Sequence, residues 1–192
     1  MTKRFGGSFE PALHMDRMDA PVNMRNTKHI QDGDRVFVCS MADLFGDWVP
    51  EHWIDLVLQE VVNNPQWTFL FLTKNPKRYK EFCFPDNAWI GATVDRQTRV
   101  RPTEIAMDAA CAKIKFVSCE PLLEQVHFNV PDIFDWFIIG AKSEGKRKVQ
   151  PEKKWTMDIV RQAHRCGKKV WMKDNLSAKA MGIDKLIQEQ PL

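Results

Sequence analysis

Polar side chains gather in short groups directly after apolar runs of this sequence. Ser40 and Asp43 come after Val36-Phe37-Val38-Cys39. Thr73 closes the run from Thr68 and is followed by Lys74, and Thr93 and Asp95 stand at the end of the run from Trp89. Ser118 and Glu120 end the run from Ile114, Lys142 and Ser143 come after Trp136-Phe137-Ile138-Ile139, and Lys173 and Asp174 follow Lys169-Val170-Trp171-Met172. Converging carboxylates, hydroxyls and lysines offer acceptors and donors for a polar ligand at one mouth.

Glu120 stands out in this set. It precedes Pro121, which restrains its backbone, where aspartate or asparagine would be the usual turn residue. A glutamate at the end of a buried strand is costly unless paired, so Lys74, Lys173 or Lys142 is expected within hydrogen-bonding reach. Asp43 and Asp95 suit the capping of a following turn or helix as well as a ligand role. Lys74 and Lys173 read as members of a shared ion-pair network. Cys39 and Cys119 read as small buried core residues and the other three cysteines as helical. Trp53, Trp155 and Trp171 fall on apolar faces, which leaves Trp48 and Trp89 as aromatic candidates for a ligand mouth.

The elements that must position these groups alternate. Most of the apolar runs are continuous rather than alternating, as expected of strands covered on both faces. Between the runs lie helical periodicities: a stripe of Trp53, Ile54, Val57, Leu58, Val61 and Val62 after Pro50, a helix from Asn75-Pro76 to about Phe82, one from near Pro102, and one opened by Pro151 and capped by Gly167. Strands separated by helices pair in parallel. The fold class is α/β, and about six such units make either an incomplete parallel (β/α) barrel, TIM-like, or an open doubly wound sheet, with ligands at the strand C-termini in both. The barrel is the expected one, since no G-x-G-x-x-G follows the first strand. We expect one domain over 1–192, with 1–34 an N-terminal extension packing on the barrel, of which Phe5 to Ile30 covers part of its exposed edge or mediates self-association, 35–175 the strand-helix units and 176–192 a C-terminal tail or helix.

Several chemistries lack their motifs. There is no G-x-G-x-x-G after the first strand, no Walker A sequence, no G-x-S-x-G elbow and no H-E-x-x-H among the five histidines. Five scattered cysteines do not suggest a disulfide framework. The formal net charge of +3 is only mildly basic, and its densest part, Lys142 to Lys154, reads as a solvated loop. No apolar run approaches the roughly 18 residues of a membrane span, and Met1 to Gly7 lacks a signal-peptide core, so a cytoplasmic protein with no membrane partner is expected.

The strings Ser-Met-Ala-Asp-Leu-Phe from Ser40, Leu-Thr-Lys-Asn-Pro from Leu72, Gly-Ala-Thr-Val-Asp from Gly91 and Phe-Val-Ser-Cys-Glu-Pro-Leu-Leu from Phe116, in this order, resemble a phage-associated domain of unknown function related to radical SAM enzymes. The resemblance runs from about Phe9 to about Asn175. It implies a (β/α) barrel that binds a nucleotide-like or nucleic-acid ligand at its strand ends, with S-adenosylmethionine there and an N-terminal C-x-x-x-C-x-x-C-like motif holding a [4Fe-4S] cluster. Such a cluster needs closely grouped thiolates. Here the first cysteine is Cys39, and the segment that should carry the motif would lie before Met1, so no cluster is expected in this chain. It then reads as a truncated product, as a relative that has lost the chemistry, or as part of a split enzyme whose partner chain supplies the cluster segment. After the fifth strand, Ala141 and Lys142 replace the second glycine and the glutamate of a Gly-Gly-Glu-Ser-Gly turn, with Glu144 nearby. The alternative expectation is a non-enzymatic scaffold of a mobile element that uses the Lys142 to Lys154 loop for phosphate or protein contact.

Overall fold

The computed structural model describes residues 12–18, 20, 22–23 and 30–191. Its frame is one sheet of six strands in sequential order: β1 (Arg35–Phe37), β2 (Thr68–Thr73), β3 (Ala88–Thr93), β4 (Ile114–Cys119), β5 (Trp136–Ile139) and β8 (Lys169–Met172). Every neighbouring pair is parallel. The crossovers carry α1 (Glu51–Asn63), a 3-10 turn (Pro76–Glu81), α2 (Val100–Ala109) and α3 (Lys153–Arg165). A separate antiparallel hairpin, β6 (Lys142–Glu144) with β7 (Arg147–Val149), interrupts the passage from β5 to α3, and a short α4 (Ala178–Met181) follows β8. The expected parallel sheet is therefore present.

Side-chain alternation divides the sheet into two faces. Phe69 and Phe71 of β2, Ile90 of β3, Val117 of β4, Phe137 and Ile139 of β5 and Val170 of β8 are buried in the main core, together with Ile54, Leu58, Val61, Met107, Ile159 and Ala163 from the helices. Each of these side chains larger than alanine contributes about 1.5–3 kcal/mol by leaving water. The opposite face carries a second cluster of Leu70, Trp89, Phe116 and Trp136, with Leu72, Ile114, Ile138 and Trp171 against it.

The sheet curls around this second face into a half-barrel. Arg35 of β1 sets its guanidinium 4.8 Å from the Trp89 ring and 5.6 Å from the Trp136 ring. In a flat sheet β1 and β5 would stand about 19 Å apart, four strand spacings. The two indoles are edge-on at 6.2 Å, and Trp171 packs the same way on Trp136 at 6.1 Å. Burial among these rings pulls the Arg35 pKa down from its usual value. Arg35 and Trp89 begin their strands, so this plug closes the N-terminal end of the half-barrel; the expectation of Trp89 near the ligand mouth is corrected, because it lies at the other end of its strand.

The two sheet edges differ. Along β8 the chain returns as a short antiparallel stretch, with Met172 N–H donating to Ile187 O at 2.7 Å and Glu189 N–H to Val170 O at 2.7 Å. Along β1 no strand pairs on the outer side among the described residues. Met18 and Ala20 border an apolar groove there with Val36, Val38 and Val57. Most of the N-terminal extension expected on this edge lies outside the described residues.

Three local expectations are corrected. The strand expected to reach Cys39 stops at Phe37, since Cys39 takes a left-handed φ of 54° in the turn that follows, and its residue is exposed rather than core. The helix expected from Asn75 is a 3-10 turn, because the Asn75 amide is used elsewhere and Tyr79 is drawn into the core to donate to Gly91 O at 2.8 Å. Cys83 and Cys111 lie just past their elements rather than within helices, and Cys166 is the C-cap of α3. No helix among the described residues is long and apolar enough to cross a membrane.

Candidate functional site

All six strands point their C-terminal ends the same way, so the polar groups after them share one rim, and neighbouring strands bring some of them into contact. Asp43 is tied down by the fold. Its carboxylate accepts from the Thr73 hydroxyl at 2.7 Å, from Lys74 N–H at 2.9 Å and from Phe45 N–H at 3.1 Å. The Thr73 hydroxyl in turn accepts from Asn75 N–H, and the Asn75 amide donates to Phe45 O and to Asp47. This knot fastens the loop after β1 to the end of β2. Hydrogen bonds from Asn75 and Lys77 hold the Asp47 carboxyl below its ordinary range. Partial burial of the Cys39 thiol, with Asp43 beside it, pushes that group up. The Lys74 side chain has no ion pair among the described residues, and Ser40 lies exposed in the turn after β1.

In the middle of the rim, Thr93 and Ser118 face each other in register across β3 and β4, buried, on the same side of the sheet as Trp89 and Phe116. Neither hydroxyl has a hydrogen-bond partner among the described residues. Asp95 sits 2.8 Å from Arg99 Nε and 3.4 Å from Arg96 Nε, yet its buried Oδ1 receives no aligned hydrogen bond, because the nearby N–H groups do not point at it. It stands beside two arginines instead of capping a helix. Cys119 is buried on the outer face, where burial, and secondarily Asp95, push its thiol far up.

The centre of the site is Glu120. Its carboxylate accepts from Lys173 Nζ at 2.7 Å and from the Asn175 amide at 2.8 Å, joining the ends of β4 and β8. Of the three lysines expected near Glu120, Lys173 is the one that meets it. The pair is half-open, with 24% of the Glu120 side chain and 44% of the Lys173 side chain exposed. In that setting the ion pair contributes on the order of 1 kcal/mol or less to stability. Gly140 makes room for it: a Cβ there would lie 2.7 Å from the Glu120 side chain. The Glu120–Pro121 peptide bond is cis.

Asn175 was not among the residues singled out from sequence, and it organises this side of the rim. Besides Glu120 it donates to Ala141 O and accepts from Ala141 N–H, while its own carbonyl accepts from the Gln150 amide. The only sequence signal is its place two residues after Lys173. The remaining candidates leave the centre. Lys142 pairs with Glu144 at 2.7 Å and Ser143 accepts from Lys148, both within the hairpin, and Asp174 accepts from Gln188. The loop expected over Lys142 to Lys154 is instead an ordered hairpin followed by the start of α3.

Chemically, the rim offers a carboxylate that can receive an ammonium or hydroxyl, a lysine that can receive a carboxylate or phosphate, and two free hydroxyls in front of an aromatic wall. A metal set is a different matter. Among the described residues no three His, Cys, Asp or Glu side chains come together in a way that could hold a metal ion. Cys39, Cys83, Cys111, Cys119 and Cys166 lie on five separate segments and do not fit an iron-sulfur cluster.

No curated protein and no solved structure matches the chain. Residues 2–184 match the family described as a protein of unknown function (DUF5131), a span that covers all six strands and the rim, and the chain belongs to that family.

Proposed function

We propose that the rim around Glu120 binds a nucleotide-like ligand, and that the chain is a relative of radical SAM proteins encoded by a phage or mobile element, with S-adenosylmethionine as the reference ligand. The observation that carries the reading is the half-open Glu120–Lys173 pair, which stands beside the unpartnered hydroxyls of Thr93 and Ser118. A ligand with both charges can replace each partner of such a pair: its ammonium goes to Glu120 and its carboxylate or phosphate to Lys173. Asn175 keeps Glu120 in place during the exchange. When bound, S-adenosylmethionine would supply an electrophilic sulfonium. The five scattered cysteines do not fit a cluster.

Isothermal titration of the purified chain with S-adenosylmethionine, S-adenosylhomocysteine and ATP tests this reading. Saturable binding of at least one is expected, weakened about tenfold in Glu120→Gln, the equivalent of one charge-assisted hydrogen bond. An absence of heat with all three, or equal affinity in the variant, would remove the reading and leave the scaffold alternative.

A further inference from the structure

We propose that the β6–β7 hairpin is a phosphate-binding arm that holds the backbone of a nucleic-acid strand beside the rim. The inference rests on the ligand reading above only for the base that would enter the rim; the arm's own contacts are to phosphate.

The hairpin has no evident task in the fold. Residues 142–148 are all exposed, and a lone two-stranded hairpin is marginally stable in water. Its order comes from its two legs. Ala141, just before it, exchanges two hydrogen bonds with the Asn175 side chain, and Gln150, just after it, donates to Asn175 O and accepts from Ser177 N–H. One residue therefore pins both legs and also orients Glu120, which fixes the arm relative to the rim.

Its turn is built to project. Glu144 and Arg147 pair across a two-residue loop in which Gly145 has φ of 59° and Lys146 does not take a positive φ, the pattern of a type II′ turn. The tip presents Lys146 and Arg147, whose side chains have no ion pair or hydrogen bond among the described residues. Lys142 and Lys148 are fixed lower down by Glu144 and Ser143.

The charge is concentrated here. Four basic side chains against Glu144 give the hairpin an excess of +3, which is the formal net charge of the whole chain, so the remaining residues balance to neutrality. Lys153 and Lys154 open α3 immediately beyond, behind a single acidic residue, Glu152, at its N-cap. Bringing basic groups together against repulsion is what phosphodiester recognition requires. A nucleic-acid strand matches such an arm better than an acidic protein surface, since the exposed donors are lysine and arginine ends with almost no apolar area between them.

Fluorescence anisotropy with labelled single-stranded and duplex oligonucleotides of about twenty nucleotides, titrated across salt, tests the proposal. Wild type should bind one of them with a dissociation constant below about 100 µM at low salt. The double variant Lys146→Glu/Arg147→Glu, fully exposed and with unchanged melting temperature, should bind at least about tenfold more weakly, and its salt slope should be shallower by about 1.4 on a single strand or about 1.8 on a duplex. It should bind S-adenosylmethionine as wild type does, whereas Glu120→Gln should leave the salt slope unchanged, so each reading can fail without the other. Equal oligonucleotide binding by wild type and the double variant would overturn the arm. So would binding of polyglutamate as tight as that of the oligonucleotide, which would assign the hairpin to an acidic protein partner.

Discussion

Two carboxylates of the rim, Asp43 and Glu120, follow strands in the same way and are held in opposite ways. Asp43 takes two of its three hydrogen bonds from backbone N–H groups and the third from a buried threonine. Glu120 takes both of its bonds from long or flexible side chains that reach back from β8 and its loop. A backbone donor cannot leave without moving the chain, whereas a lysine can swing toward solvent. Asp43 therefore acts as a fastener between the β1 loop and β2, and Glu120 is a carboxylate with one partner, Lys173, that is free to swing away.

The largest effect expected from this contrast is on stability at the fastener. Asp43→Ala strands Lys74 N–H, Phe45 N–H and the Thr73 hydroxyl and should cost about 2–4 kcal/mol, read as a lower urea midpoint at unchanged m-value. Glu120→Gln, which keeps its shape and its amide neighbour, should cost about 1 kcal/mol or less. If the two variants unfold at the same urea concentration, the division into fastener and exchangeable carboxylate fails.

A smaller effect sharpens the other half of the comparison. Gly140→Ala places a methyl group 2.7 Å from the Glu120 side chain and must push the carboxylate away from Lys173 and Asn175. Because the obstacle is a flexible, half-exposed side chain, the stability cost should be about 1 kcal/mol. Ligand affinity should fall as in Glu120→Gln. Wild-type binding by Gly140→Ala would mean that the placement of Glu120 is not what the ligand reads.

The contrast also shows how far the sequence could be read. The central strands were legible because burial on both faces makes them nearly continuous apolar runs, as in Thr68–Thr73 and Ile114–Cys119. The Glu120–Lys173 contact was legible for an energetic reason, since a glutamate at that position needs a cation. What was hidden depends on how the chain returns in space. Asn175 gains its role because its loop passes both hairpin legs. Cys39 leaves the core because its turn takes a left-handed backbone. The hairpin carries charged residues on exposed strands, so the apolar alternation that reveals a strand is missing there, and the Glu-Gly-Lys-Arg turn was its single local signal.

A third carboxylate lies between the two extremes, and its small effect is read through pH. Glu189, on the stretch that covers the β8 edge, accepts one backbone bond from Val170 N–H at 2.9 Å and lies 3.1 Å from His164 Nε2. Partial burial pushes its carboxyl up, but the Val170 and His164 contacts, with Lys169 nearby, outweigh that and hold it below the usual glutamate range. A carboxyl lowered in the folded state contributes stability that is fully present above its unfolded value of about 4.3 and is lost as pH falls through the folded value. Wild type should thus exceed Glu189→Gln slightly in urea midpoint at neutral pH, and the difference should shrink between about pH 5 and pH 3. With one backbone donor, Glu189 should cost less than Asp43 on removal. If the difference stays constant through that acid range, the carboxylate charge does not hold the edge, and the number of backbone donors does not rank the carboxylates of this fold.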